Sequence, residues 1–427
     1  MPKPRSFARN AVLLMGSTVL GQGITVAALP LLARLYTPAE FGVLAAYGSL
    51  VLVLVSVASL RYEMAIPIAS KDADAVNLLS LCLLLLLATV AITGIAALLL
   101  PTSVYERLGE ARLQHFGWML PVGVGVVGLY QIFASWALRE KDYTTIARTK
   151  VVQGVAMVMA QVGLGLLHSG VIGLLIGDAL GRSSGTTSIA RPLFKRRRTM
   201  QLLSRARMKA MAARYVRFPL YSSPASLLNS LGLQLPNLLL ATLYGPVEAG
   251  LFMLATRIST LPADVIGQSV SQVYTGQASE AVRSMRGAEV YPLTQKVIRQ
   301  MGLLSLGFVG VSLLAPWVFG PLFGASWQQA GKYAFVLSLS LFGRLVVNPI
   351  SQITSVAEKQ HWQIIGDAVR AVAVFASLYI PFRLGFSALS AIASYSLVML
   401  LTYIMFLYVY VSIAKQMGQT SPSSAAL

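Results

Sequence analysis

About twelve runs of roughly 20 mostly apolar residues, separated by short connections, constrain this chain more than any other feature. They centre near Leu20, Leu52, Leu86, Val127, Met159, Leu180, Leu233, Leu261, Val309, Leu341, Phe375 and Leu400. A helix of that length crosses the ~30 Å hydrocarbon core of a bilayer. Inside lipid only helices and closed barrels satisfy every backbone N–H and C=O. The alternating segments of about ten residues that mark a barrel do not occur. The expected fold is therefore an all-α integral membrane protein of about 12 transmembrane helices. Composition agrees: 11% of the 427 residues are charged, against about 25% in a soluble domain. The run from Ala11 to Leu32 is too long for the apolar part of a secretory signal and leads straight into a second span, so it is read as an uncleaved first helix.

The formal net charge is +19. In a soluble protein that excess would suggest nucleic acid, but no aromatic interleaving or binding fold accompanies it. In a membrane protein, Lys and Arg gather on the cytoplasmic side. With the N-terminus inside, Arg34, Arg107, Arg112, Lys332 and Arg383 fall outside, and Arg182, Arg257, Arg344 and Arg370 fall within spans. All the other cations fall on cytoplasmic connections, beginning with Lys3, Arg5 and Arg9 and ending with Lys415. Both termini are thus expected in the cytoplasm. The five tryptophans (Trp118, Trp136, Trp317, Trp327, Trp362) lie near span ends and are expected as interfacial anchors. Cys82 is the single cysteine, so no intrachain disulfide forms and its thiol is read as packing.

The longest polar stretch, residues 191–217, divides the spans six and six. It carries Arg191, Lys195, Arg196, Arg197, Arg198, Arg205, Arg207, Lys209, Arg214 and Arg217. Its simplest role is to pin the cytoplasmic face, and attraction to anionic lipid head groups is the functional alternative. Across this divide Leu35-Tyr-Thr-Pro-Ala-Glu-Phe-Gly42 is answered by Leu243-Tyr-Gly-Pro-Val-Glu-Ala-Gly250, and Leu29-Pro30 by Leu235-Pro236. Each copy joins the first span of its half to the second, with a turn-forming Pro and an acid placed where a helix dipole favours it. An even number of spans per half returns the second half in the same orientation, so the repeat is parallel, as in transporters. The expected domains are residues 1–190, a six-helix bundle; 191–217, a basic linker; and 218–427, a second six-helix bundle with a short cytoplasmic tail.

Polar residues within spans are expensive and usually face a cavity or a partner. In the eighth span Arg257, Thr260, Asp264, Gln268 and Ser271 lie on one helix face. Ser223, Ser230, Gln234 and Asn237 form a similar face in the seventh, with Ser226 at its edge, and Thr18, Gln22 and Thr25 a smaller one in the first. Pointing inward they would line a hydrophilic cavity, with helix–helix hydrogen bonding the alternative for the seventh-span face. The expected cavity residues are Arg257, Arg344, Asn237, Gln234, Ser230, Gln22 and Gln268. Arg344 has no local partner in the sequence. Asp178 and Arg182 are spaced to neutralise each other beside a stripe of Gly173, Gly177 and Gly181, which suggests a structural pair. Asp264 is the first candidate for a proton- or cation-coupled group and Asp178 the second. Asp367 and Arg370 are expected at the interface. Arg61 and Glu63 are either interfacial anchors or aids to substrate access.

Enzymatic motifs are missing. Gly123-Val-Gly-Val-Val-Gly128 matches a dinucleotide fingerprint but lies inside an apolar span with no strand before it, so it reads as packing. No phosphate-binding G-x-x-x-x-G-K-[ST] occurs, and His115, His168 and His361 lack metal-ligand spacing. The outer connections are too short for the catalytic loop of a membrane polymerase or ligase. A transporter without cofactor is expected, not an enzyme.

Ala33-Arg-Leu-Tyr-Thr-Pro-Ala-Glu-Phe-Gly42 followed by Leu60-Arg-Tyr-Glu-Met-Ala-Ile66 resembles the N-terminal signature of bacterial polysaccharide flippases, the Wzx-type O-antigen and exopolysaccharide transporters. Phe218-Pro-Leu-Tyr-Ser-Ser-Pro224, Ala255-Thr-Arg-Ile258, Ile266-Gly-Gln268, Gln272-Val-Tyr274 and Phe323-Gly-Ala-Ser-Trp327 are similar to that family's second half. The resemblance implies membership of the multidrug/oligosaccharidyl-lipid/polysaccharide exporter superfamily, with two six-helix bundles around a cationic cavity. It also implies alternating-access transfer of a polyprenyl-pyrophosphate-linked oligosaccharide, such as an undecaprenyl-linked unit, across the bacterial inner membrane. Arg257 matches, in position, an arginine that contributes to head-group binding in related lipid-linked-precursor flippases. The first-span cationic cluster of those relatives has only Thr18, Gln22 and Thr25 here. The partners implied are this lipid-linked substrate, membrane lipids and other polysaccharide assembly proteins, with the transporter a monomer. The rival reading is a cation-coupled multidrug or small-solute antiporter on the same scaffold. Such a cavity should favour acids and aromatics, whereas the buried charge here leans to arginine.

Overall fold

The computed structural model describes residues 4–99, 116–195, 202–357, 359 and 361–419. Lys3, Arg107, Arg112, His115, Arg196, Arg197 and Arg198 lie outside the described residues, as does the tail beyond residue 419. Every regular element among the described residues is helical. The helices run α1 Pro4–Ala27, α2 Leu29–Leu35, α3 Pro38–Val55, α4 Asp72–Leu99, α5 Met119–Arg139, α6 Tyr143–Leu166, α7 Gly170–Ser183, α8 Thr186–Lys195 and α9 Arg205–Arg214. They continue as α10 Ser223–Tyr244, α11 Pro246–Arg283, α12 Val290–Ser312, α13 Ala315–Phe323, α14 Gln328–Val347, α15 Ile353–Val356, α16 His361–Arg383 and α17 Ala388–Gln419.

Among the described residues, 9 helices are long and apolar enough to cross a membrane, or 10 if the pair Gly287–Ser312 and Ala315–Phe323, bent by 58°, is one span. The bend has a local cause: Pro316 brings no N–H and its ring crowds the carbonyl of Ser312, the last residue of α12. Two of the expected spans fall short of that test for different reasons. α7 has 14 residues, about 21 Å at 1.5 Å per residue, and Gly185 breaks the chain after it with φ +84. α10 has 22 residues and is long enough, but Ser226, Asn229, Ser230, Gln234 and Asn237 dilute its apolar character.

The contacts divide the chain into two compact units, Met1–Gly250 and Leu251–Leu427. The division expected from the sequence lies in the linker, at residues 191–217. α10 packs along α3 in the first unit: Ser49 donates to Gln234 Oε1 at 3.0 Å, and Ser230 donates to the Leu52 carbonyl at 3.2 Å.

Close helix crossings hold the first unit. A Cβ on Gly21 would overlap the Lys150 carbonyl, and one on Gly154 the Gly21 carbonyl, so α1 and α6 cross backbone to backbone. The Gly173, Gly177, Gly181 stripe does the same work between α7 and α6, with a Cβ on Gly181 standing 2.8 Å from Met157 Cα. Tyr36 adds a buried hydrogen bond from its hydroxyl to the Gln161 carbonyl, 2.7 Å. Gly123 and Gly128 pack on Tyr47 and Leu86, so the fingerprint-like run is a packing surface, as expected. Gly181→Val should lower the unfolding temperature, since overpacking a tight contact costs about 1–3 kcal/mol. Gly16→Ala, where nothing stands within 4 Å, should leave it unchanged or raise it slightly. A thermal unfolding series in detergent compares the two.

The two copies of the repeated motif meet in this unit. Gly42 on α3 abuts the Pro246 carbonyl at the start of α11, and Gly250 on α11 abuts the Pro38 carbonyl at the start of α3. The start of α3 is fixed by a capping box: Thr37 Oγ1 accepts from the Glu40 N–H, and Glu40 Oε2 accepts from the Thr37 N–H at 2.7 Å. The second copy replaces Thr37 with Gly245, which turns at φ +90. In the second unit, Ser396 on α17 is fully buried and accepts from the Ser340 N–H of α14 at 3.1 Å.

The tryptophans divide differently from the expectation of five interfacial anchors. Trp118, Trp317 and Trp362 are exposed, while Trp136 and Trp327 are buried in the protein interior. Residues near a span end can face a neighbouring helix as readily as the lipid, and linear position does not distinguish the two. Cys82 is fully buried, in keeping with a packing role.

Candidate functional site

The second unit contains a cavity of about 60 Å³ between α11, α14 and α17. Hydroxyls of Thr256, Ser259, Thr260 and Ser340, the phenols of Tyr395 and Tyr403, and the Arg344 side chain face it among apolar neighbours such as Phe252 and Leu337. Two polar atoms at its wall, Thr256 Oγ1 and Arg344 Nε, are buried without a hydrogen-bond partner. A buried donor left unsatisfied costs about 1–3 kcal/mol, so the cavity offers a small oxygen-bearing group two ready contacts. It has room for a few water-sized groups.

Arg344 has its ion-pair partner on another helix, not on its own. Its Nη2 lies 2.6 Å from Asp264 Oδ1, joining α14 to α11. Both side chains are about one-third exposed, at 34% and 30%. In sequence Asp264 shares a helix face with Arg257, seven residues earlier on α11. Its ion-pair partner instead comes from another helix, because Leu341 and Leu345 pack with Ala263 and carry the guanidinium of Arg344 across to it. Nothing in the local spacing of either helix reports that adjacency. Arg257 itself is half-buried on α11.

In the first unit the expected face of α10 is partly committed to packing. Gln234 and Ser230 hold α3 through the two bonds given above, the helix–helix alternative left open by the sequence. Asn237 is half-buried and Gln22 is exposed. Gln268, on α11 in the second unit, is exposed. Asp178, buried, accepts from Arg182 Nε at 2.8 Å, the expected i,i+4 pair. Glu63 is also buried. It accepts from Ser59 Oγ and pairs with Arg61 at 3.3 Å. Asp367 and Arg370 pair at 3.0 Å. Among the described residues no group of His, Cys, Asp or Glu could hold a metal ion.

The residues that sequence reasoning missed are the hydroxyl-bearing ones around Arg344: Thr256, Ser259, Tyr395 and Tyr403. Isolated hydroxyls on apolar helices carry no periodic signal, and only the packing of three helices brings them together.

Solved structures share this fold over nearly the whole chain. An inward-facing multidrug resistance MATE family transporter of the MOP superfamily superposes with a TM-score of 0.74 at 18% identity, covering 95% of this chain and 96% of that one. The lipid II flippase MurJ in an inward closed conformation gives 0.69 at 14% identity, over 97% and 90%. A MOP superfamily transporter from Pyrococcus furiosus, described by the reverse polarity of its binding pocket, gives 0.62 at 16%, over 96% of each chain. No curated protein matches the sequence at a significant level. Fold and apolar helices together define the class, a multi-pass membrane protein with the fold of these transporters. The family model described as polysaccharide biosynthesis protein matches residues 31–332. The chain belongs to that family.

Proposed function

We propose that this protein is a flippase that moves a polyprenyl-pyrophosphate-linked oligosaccharide repeat unit from the cytoplasmic to the periplasmic leaflet of the bacterial inner membrane, in O-antigen or exopolysaccharide assembly. The match to the polysaccharide biosynthesis family over most of the chain carries this reading. The similarity of fold to a lipid II flippase and the arginines on membrane-spanning helices support it. Arg257 and Arg344 would hold the pyrophosphate through charge-assisted hydrogen bonds. Gln268 would serve the sugar hydroxyls, and Asn237, Gln22, Gln234 and Ser230 of the first unit are further candidates for that role. The polyprenyl tail would remain in lipid.

Asp264 is the coupling residue in this scheme. Paired with Arg344 it holds the guanidinium away from an anionic substrate, and its protonation frees that cation for the pyrophosphate. Asp178 is the weaker candidate, since Arg182 is its neighbour on the same helix and neither has to move to maintain the pair.

Arg257→Ala removes one charge-assisted contact, expected to weaken head-group binding about 10- to 100-fold. Surface polysaccharide should fall while undecaprenyl-linked repeat units accumulate in the cytoplasmic leaflet, as read by lipid extraction and mass spectrometry at matched protein levels. Full export in this variant removes Arg257 from the site. Normal surface glycan in the deletion strain, with altered drug susceptibility, would instead favour the antiporter reading.

A further inference from the structure

The basic linker is not a free loop where it is described. α9 carries Arg205, Arg207, Lys209 and Arg214 in ten residues with no acid, and no Asp or Glu occurs anywhere between Asp178 and Glu248. α9 is nonetheless docked. Asn77, fully buried in the second turn of α4, donates to the Leu202 carbonyl and accepts from the Ser204 N–H, both at 3.0 Å. Arg207 lies 3.8 Å from Asp74, in the first turn of α4. The Tyr62 hydroxyl donates to the Ala212 carbonyl at 3.0 Å. Met211 is the buried contact of the helix.

These anchors place α9 at the end of a membrane-spanning helix, and so at the level where lipid head groups lie. Arg205, Lys209 and Arg214 remain exposed, as does Arg217 just beyond. Arg205 and Lys209 sit i,i+4 on one face, a like-charge pair that disfavours the helix unless an anion lies between them. Leu202 and Leu203 precede the helix, Val216 and Leu220 follow it, and all four are exposed at 42%, 44%, 42% and 60%. Exposed apolar residues at both ends of a cationic helix suit a bilayer surface, where side chains enter the acyl boundary and cations meet phosphates.

We propose that α9 with its flanks is a preformed docking surface for anionic phospholipids, held in place by Asn77, Asp74 and Tyr62 of the first unit. The occupant is bulk anionic lipid of the leaflet, recognised by negative head-group charge, and is distinct from the transported molecule. The proposal does not depend on the flippase reading, and its test requires no transport.

The full-length protein is reconstituted in nanodiscs containing phosphatidylglycerol and phosphatidylethanolamine, and lipids retained after extraction into detergent are identified by native mass spectrometry. The wild type should retain phosphatidylglycerol preferentially. Arg205→Gln, Lys209→Gln and Arg214→Gln combined should reduce that preference about tenfold or more, since each surface cation is worth about fivefold. Arg205→Lys with Arg214→Lys should keep it. Arg207 is left intact because it serves the docking itself. A second measurement uses the wild type alone: its unfolding temperature should be higher in phosphatidylglycerol than in phosphatidylethanolamine, and the difference should collapse in high salt. Unchanged lipid preference in the triple variant, or no difference between lipids for the wild type, overturns the proposal.

Discussion

Arg344→Gln and Asp264→Asn should each abolish export, but they should differ in what the double variant restores. Each single change strips the partner from a charge on a membrane-spanning helix. Breaking a buried pair costs about 3–5 kcal/mol. The one-third exposure of both side chains reduces that to about 2 kcal/mol, similar to the lower end of placing a charge at membrane depth. Thermal unfolding in detergent should show both singles destabilised by several degrees. The double variant should be more stable than additivity predicts, because neither charge is left alone. Its export should remain absent, since the cation assigned to the pyrophosphate and the acid assigned to coupling are both gone. A double variant that regains export makes the pair structural only. Additive losses of stability would mean that the two charges do not interact in the folded protein.

Gly42→Val and Gly250→Val should be the most damaging single changes in the first unit. In most helix crossings a small side chain displaces the flexible end of another side chain. Here each glycine faces the backbone carbonyl of the opposite motif copy, which is fixed by the first turn of a helix and cannot rotate away. α3 and α11 would have to separate, which removes contacts on both sides of the crossing and costs at least the ~1–3 kcal/mol of ordinary overpacking. Loss of folded protein at normal transcript levels, measured by size-exclusion fluorescence, is the expected outcome. Gly48→Val on the same α3, with nothing within 4 Å of its Cβ position, should express normally.

Fold class was legible because membrane spans are long and their apolar signal accumulates over about 20 residues. The same signal is weaker where elements depart from the average, as in the 14-residue α7 and the polar α10. Local spacing correctly paired Asp178 with Arg182, since one helix holds both. It could not pair Asp264 with Arg344, because the information lies in how α11 meets α14. The motif repeat was visible as a match of letters. What it does became clear only with the reciprocal contact of Gly42 and Gly250, a tertiary fact. The seventh-span face illustrates a third limit: Gln234 and Ser230 look the same in sequence whether they greet a substrate or hold α3.

The placement of α10 has a consequence for how the protein is made. Chains are synthesised and folded from the N-terminus, yet α3 receives its α10 partner only after the linker has been synthesised. The first unit is therefore incomplete when the ribosome reaches residue 217. Ser49 and the backbone surfaces of Gly42 and Pro38 must wait in the translocation machinery or the lipid until residue 250 arrives. A chain truncated in the linker should turn over rapidly, whereas one truncated after α11 contains everything the first unit needs to close.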